Sequence, residues 1–269
     1  MCGAPVEVVP SGGADRLVRW GGGPVHLFAL HGWGGSHDTF ARLAEHLDER
    51  FSLWAPDLPG YGRAAPLERW DQASYLARVR GLFAHLPAEP VHLLGNCSGA
   101  ILGLAALSSQ AERERLAGLV LVDPFAFTPW YLRLFLLPLV GRFFFWSTFA
   151  NPLGRHLTNL SLASKRQRDT DLTGSFAEVP PSTAWNTLRL LDEIGTIRGF
   201  ASVVRPSLVL HGGRTFAAVR ASIPLWRAIW PHLEVREIPA AGHLPLTETP
   251  REVAAHLARF LLTPEAGER

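Results

Sequence analysis

Lysine is almost missing from this 269-residue chain: Lys165 stands alone beside an arginine-dominated set of 26 basic side chains. That scarcity reads as coding bias and assigns no function. Charge of one sign is also lacking, because 26 basic residues face 24 acidic ones and leave a formal charge of +2. Such a balance gives no electrostatic footprint for nucleic acid. Only two cysteines occur, Cys2 and Cys97, which excludes a disulfide framework and suits a free thiol in a reducing cytoplasm. Met1 to Gly13 has no basic stretch followed by an apolar run, so no signal peptide is expected there. The longest apolar stretch, Tyr131 to Phe149, is interrupted by Arg133, Pro138, Gly141 and Arg142. It falls short of the roughly 18 uninterrupted residues of a membrane span, but contact with a membrane surface stays open. Histidines are scattered without ligand spacing and no dinucleotide fingerprint occurs, so neither a metal nor an organic cofactor is expected.

What is present is apolar: 47% hydrophobic residues against 19% charged ones, the balance of a packed globule of one α/β domain. Short apolar runs alternate with amphipathic stretches, as in a β–α–β sheet. The strands read as Val6–Val9, Arg16–Trp20, Val25–Leu30, Ser52–Ala55, Val91–Leu94, Leu119–Val122, Ser207–Leu210 and Leu233–Ile238. Helices are expected over Asp38–Asp48 after an N-cap at Ser36, over Gln72–Leu86, and through Leu107. Thr249-Pro250-Arg251-Glu252 reads as a capping box opening the last helix. Between Pro124 and Arg205 the alternation stops and aromatic residues crowd together. This predicts a core of residues 1–123 and 206–269, with a helical, aromatic-rich lid insertion, 124–205, covering the C-terminal edge of the sheet.

Gly95-Asn96-Cys97-Ser98-Gly99 follows an apolar strand and opens an Ala/Leu-rich helix. A sharp strand-to-helix turn forces strained dihedrals on its central residue, and flanking glycines let neighbouring backbone approach. Cys97 then projects into the site near the positive end of the helix, which favours a thiolate. The motif alone leaves three other readings open: Ser98 as nucleophile, a phosphate-binding turn, or an inert buried cysteine. Leu30-His31-Gly32-Trp33-Gly34-Gly35-Ser36 is a glycine-dense turn able to aim the Trp33 amide at an oxyanion, with the Ser98 amide as second donor. His243, on a loop before the last helix, is placed as general base or as a merely solvated side chain. Asp123 ends the sixth strand, where it could orient an imidazole or cap a turn.

The chain order nucleophile, acid, histidine resembles the α/β-hydrolase fold superfamily, from His31-Gly32 through Asp57-Leu58-Pro59-Gly60-Tyr61-Gly62 and the cysteine elbow to Gly242-His243. The resemblance implies a mostly parallel eight-stranded sheet flanked by helices, with the lid after the sixth strand, and gives Asp57 a structural role. Two departures matter. Many members place their acid just after the penultimate strand, where this chain has Thr215; Asp123 takes the role instead, as in assembly-line thioesterases, with Asp192 and Glu193 as weaker alternatives. The cysteine resembles dienelactone hydrolases, polyhydroxyalkanoate synthases and a minority of assembly-line thioesterases.

These residues predict an acyl-handling enzyme. A Cys97–His243–Asp123 triad would attack the ester or thioester of a lipophilic acyl group and form a thioester acyl-enzyme, with Phe125, Phe127, Trp130 and Leu244 against the substrate. The acyl donor is a small molecule, free or bound to a carrier protein. A thioester retains transfer potential, so an acyltransferase or lactone-forming cyclase is the alternative. From another class, a non-catalytic receptor on the same fold is the competing expectation, whereas a dehalogenase or epoxide hydrolase would need a carboxylate where Cys97 stands.

Overall fold

Continuous runs of β-branched and leucine residues make strands that are covered on both faces. The computed structural model describes residues 4–8, 15–167 and 169–262. Its strands are β1 (Val6–Val8), β2 (Leu17–Gly21), β3 (Val25–Leu30), β4 (Phe51–Pro56), β5 (Val91–Asn96), β6 (Leu116–Val122), β7 (Ser207–Gly212) and β8 (Glu234–Ile238). Val9 and Cys2 lie outside the described residues. The strands form one eight-stranded sheet in the order β1-β2-β4-β3-β5-β6-β7-β8. The β1–β2 and β2–β4 pairs are antiparallel and the rest parallel, the mostly parallel α/β arrangement expected.

Period-two alternation divides the side chains between two cores. Phe28, Leu30, Leu93, Leu119 and Leu121 face one side, packed with Tyr75, Val79 and Leu82 of the helix Gln72–Ala84. Leu27, Ala29, Leu94, Val120 and Val122 face the other, against Phe40, Leu43, Val253 and Leu257. Each fully buried side chain of this size contributes about 1.5–3 kcal/mol relative to exposure. The strand order reverses between β3 and β5, which puts the loops after these two strands at the topological switch point, where open α/β sheets form their crevice.

The helices differ in detail from expectation. Ser36 does cap, accepting from the Asp38 amide, but a 3-10 turn over His37–Phe40 and a short helix over Ala41–Ala44 replace the single helix to Asp48. The Gln72 helix ends at Ala84, and the helix after the elbow runs Ser98–Ala106. The capping box at Thr249 does not form. The Thr249 hydroxyl donates to the Pro245 carbonyl, because a preceding turn, Pro245–Glu248, leads directly into the helix Pro250–Leu262. Between β6 and β7 the chain is helical: Trp130–Arg133, Gly141–Phe145, a π-type turn Trp146–Ala150, Pro152–Ser161 and Pro181–Ile194.

Candidate active site

β5 hands over to the helix Ser98–Ala106 through Cys97, whose backbone sits at φ 51°, ψ −118°. That left-handed conformation costs a side-chain-bearing residue about 1–3 kcal/mol and persists only where surroundings enforce it. Here they do. The Cys97 amide donates to the Val122 carbonyl at 2.8 Å. A Cβ on Gly99 would fall 2.2 Å from the Leu30 carbonyl oxygen, and one on Gly95 would fall 2.4 Å from Ala100 Cα. Both glycines are therefore steric requirements of the elbow. Gly32, after β3, packs so closely that a Cβ there would lie 3.0 Å from Cys97 Cβ. The neighbouring His31 is fixed as a neutral imidazole: Nδ1 donates to the Gly32 carbonyl and Nε2 accepts from the Leu58 amide. Burial lowers its pKa to about 4.

One strand over, Asp123 follows β6, also with positive φ (50°), a conformation that aspartate tolerates better than most residues. Its carboxylate is fully buried and its oxygens are shared out. Oδ1 accepts from the Gly212 amide at 2.9 Å; Oδ2 accepts from the Thr215 hydroxyl at 2.6 Å and from His243 Nδ1 at 2.8 Å. Burial alone would lower the pKa of His243, but hydrogen bonds and negative charge from Asp123 and Cys97 outweigh it and raise it to about 10. The imidazole is thus bonded to the carboxylate and electrostatically coupled to the thiol. Its loop is fastened by the His243 amide, which donates to the Lys165 carbonyl at 2.8 Å, and by Gly242, whose amide donates to Glu248. Phe216 packs against the ring at 4.6 Å and Phe125 at 5.6 Å.

Trp33, Cys97, Ser98, Phe125 and Phe127 line one largely apolar cavity, together with Ile101, Pro129, Leu132, Leu188 and Leu191. Ser98 is the first residue of its helix, where leading N–H groups have no intrahelical acceptor, and its hydroxyl is buried without a partner. Trp33 is anchored by its indole, which donates to the Ala184 carbonyl at 2.7 Å. Two expectations need correction. Trp130 is 73% exposed with its ring against Tyr131, and neither it nor Leu244 lines the cavity; the helix Trp130–Arg133 turns Leu132 inward instead. The alternative acids are engaged elsewhere: Asp192 pairs with Arg133 at 2.8 Å and Glu193 with Arg189 at 2.9 Å. Asp57 accepts from His37 and from the Arg63 amide and holds its own loop.

Sequence reasoning saw in Thr215 only a missing carboxylate, yet its hydroxyl touches both Asp123 and, at 3.3 Å, His243 Nδ1. It also passed over Tyr131. Burial, then the charge on Cys97, pushes that phenol's pKa up, which keeps it a neutral donor within electrostatic reach of the thiol. A residue's distance from the elbow in sequence gave no signal for either. Among the described residues no cluster of three or more His, Cys, Asp or Glu side chains is arranged to hold a metal ion.

Comparison with known proteins agrees with this fold. Residues 25–250 match the family model described as alpha/beta hydrolase fold. A pimeloyl-[acyl-carrier protein] methyl ester esterase of Xanthomonas oryzae pv. oryzae is 28% identical over 257 residues, covering 90% of this chain and 96% of that protein. The protein of the same name from Edwardsiella ictaluri is 28% identical over 89% of this chain and 94% of its own length. Among solved structures, a thermophilic esterase from Thermogutta terrifontis superimposes with a TM-score of 0.75 at 20% identity, covering 97% of this chain and 98% of that one. A bromoperoxidase from Bacillus anthracis gives 0.74 at 16% identity, over 97% and 100%.

Proposed function

The chain belongs to the α/β-hydrolase fold family, and from that premise we propose that it is a carboxylic ester hydrolase working through Cys97, His243 and Asp123. The observation that carries this reading is the His243 imidazole, 2.8 Å from the Asp123 carboxylate and electrostatically coupled to Cys97, whose side chain lines an apolar cavity. The raised imidazole pKa favours a resting thiolate–imidazolium pair. The thiolate attacks the acyl carbonyl, and the amides of Trp33 and Ser98 receive the oxyanion. As the tetrahedral intermediate collapses, His243 protonates the departing alkoxide and the acyl group remains on sulfur as a thioester. His243, now neutral, takes a proton from water. The resulting hydroxide equivalent attacks the thioester and releases the carboxylic acid and the thiolate. Residues 124–205 serve as the lid over this site, and Phe125, Phe127 and Leu132 meet the acyl chain.

The substrate class follows from the lining and from the relatives. Apolar walls suit a lipophilic acyl group, and the relatives are named for a methyl ester carried on acyl-carrier protein, which supports an acyl ester presented on a carrier as one donor. The same acyl-enzyme could be intercepted by an amine or alcohol, since thioesters transfer readily; a cavity with so little polar lining gives water little to hold it and favours that second reading. The 2.8 Å Asp123–His243 bond supports catalysis over a receptor role. The test is intact-mass analysis after incubation with activated esters and thioesters of varied chain length. An acyl adduct is expected on the wild type and on Cys97→Ser, and none on Cys97→Ala. Decay of the adduct without added nucleophile marks a hydrolase; decay only with one marks a transferase. No adduct and no turnover with any donor would sink the catalytic reading.

A further inference from the structure

From residue 124 to residue 168 there is no aspartate or glutamate, while Arg133, Arg142, Arg155, Lys165, Arg166 and Arg168 supply six cations. In a chain whose charges otherwise nearly cancel, every charged side chain of this 45-residue stretch is a cation, one of which, Arg133, is paired with Asp192 from outside it. It is also where the molecule turns its apolar side chains outward. Of fourteen large hydrophobic residues exposed among the described residues, eleven fall between Trp130 and Leu160. On the helix Pro152–Ser161 the exposed large hydrophobic residues are Leu153, Leu157 and Leu160, a stripe at i, i+4 and i+7 that faces solvent instead of the core. Before it, the helical pieces Trp130–Leu136 and Gly141–Ala150 are bent by 116°. At the apex stands Leu139, fully exposed and held in a left-handed conformation with φ 68°. A bulky side chain seldom adopts that region. The turn is enforced from inside, because a Cβ on Gly141 would fall 2.4 Å from the Phe135 carbonyl oxygen.

We propose that this surface docks on a membrane containing anionic phospholipid, with Leu139, Phe143 and Trp146 entering the boundary between head groups and acyl chains. Three features select this occupant. Apolar helices with aromatic residues and flanking arginines lie in the interface plane of a bilayer, and each cation near an anionic surface adds attraction. The absence of carboxylates across the stretch removes the repulsion that anionic lipid would otherwise meet. No single helix among the described residues is long and apolar enough to cross a membrane, and the two pieces that would reach that length together are bent by 116°, a shape that suits lying in the interface. The surface also adjoins the proposed ester site. Leu132 lines the cavity while its neighbours Trp130 and Leu134 are exposed, so the membrane-facing side is continuous with the cavity wall. An ester dissolved in the bilayer would reach Cys97 without passing through water. This last step rests on the esterase reading; the docking itself does not.

The test is cosedimentation of the full chain with vesicles of phosphatidylcholine alone and with added phosphatidylglycerol. Binding at least tenfold tighter to the anionic vesicles, weakened by salt, is expected. Leu139→Asp combined with Phe143→Asp should lower that binding at least tenfold, while thermal unfolding and hydrolysis of a short water-soluble ester stay as in the wild type. Equal binding to both vesicle types, no binding, or binding unchanged in the double variant would overturn the proposal. So would a lipid-free dimer in sedimentation velocity that the double variant dissociates, since a second copy would then own the surface. So too would capture of acyl-carrier protein that the double variant abolishes, in the absence of vesicle binding. A wild type that binds anionic vesicles but hydrolyses no ester would leave docking intact and remove the esterase reading.

Discussion

The sheet and the segment between β6 and β7 draw on the same kinds of residue and dispose of them oppositely. In the sheet, Leu119 and Leu121 go to one core and Val120 and Val122 to the other, all fully buried. At the end of β6 the buried Asp123 carboxylate is paired, meeting Gly212, Thr215 and His243. In the segment, Phe145 is 3% exposed and packs with Trp33 and Phe149, while Phe143, two residues away on the same short helix, is 65% exposed. Aromatic density is therefore divided there: one set of rings packs inward against Trp33, and the other lies on the outside. The sheet fixes its strand-end side chains, as a buried hydrogen-bonded carboxylate requires. The segment instead turns much of its apolar surface outward.

The contrast breaks if the carboxylate at the strand end can be neutralised without consequence. Asp123→Asn keeps the shape but removes the charge that holds His243 in its tautomer. By analogy with serine hydrolase triads, a loss of about 10⁴-fold in turnover is expected. Its pH signature can be worked out. The folded imidazole pKa is raised to about 10, above the unfolded value of about 6.5, so the imidazolium stabilises the fold fully below about pH 6.5 and this contribution fades as pH rises through about 10. Asp123→Asn should bring that upper limb down, read both in unfolding temperature against pH and in alkylation of Cys97 by iodoacetamide. Turnover and limb unchanged would remove Asp123 from the mechanism.

Next in size is the pair of phenylalanines. Phe145→Ala leaves a cavity beside Trp33 and should cost about 3–5 kcal/mol of stability. Phe143→Ala deletes an exposed ring and should stay within about 0.5 kcal/mol. Denaturant unfolding of both variants measures the difference directly; equal costs would mean that the two sets of rings are not separate.

How much of this was legible beforehand divides along the same line. The strands could be read because continuous Val and Leu runs between glycine and proline turns admit few alternatives, and the elbow because Gly95 and Gly99 leave no room for a Cβ. The candidate site was also legible: Cys97 and Asp123 directly follow β5 and β6, and His243 lies on the loop after β8. The segment resisted, since an apolar helix face looks identical in sequence whether it turns inward or outward. Trp130 was expected against substrate for that reason, yet it is exposed and Leu132 lines the cavity. Thr215 was read only as a missing acid, because its hydroxyl gains a partner only from the carboxylate that the fold brings to 2.6 Å.

Thr215 is where the comparison sharpens most, because its effect is small and specific. The position after β7 carries the acid in many members of the fold; here it carries a donor to an acid that arrives from β6. A hydrogen bond to a charged group is worth about 1.5–3 kcal/mol, so Thr215→Val should lower turnover by roughly 10- to 100-fold with little change in KM. It should also weaken the hold on the Asp123 carboxylate and shift the pH limb of His243. Thr215→Ser restores the hydroxyl and should recover most of the loss, which a packing defect would not allow. The double variant Asp123→Asn, Thr215→Asp asks more: the carboxylate would then lie on the β7 side of the same imidazole. Recovery above Asp123→Asn alone would mean that the sheet offers His243 two equivalent strand-end positions for one charge. No recovery would mean that the buried Gly212 amide, which pairs with Oδ1 of Asp123, ties the charge to β6.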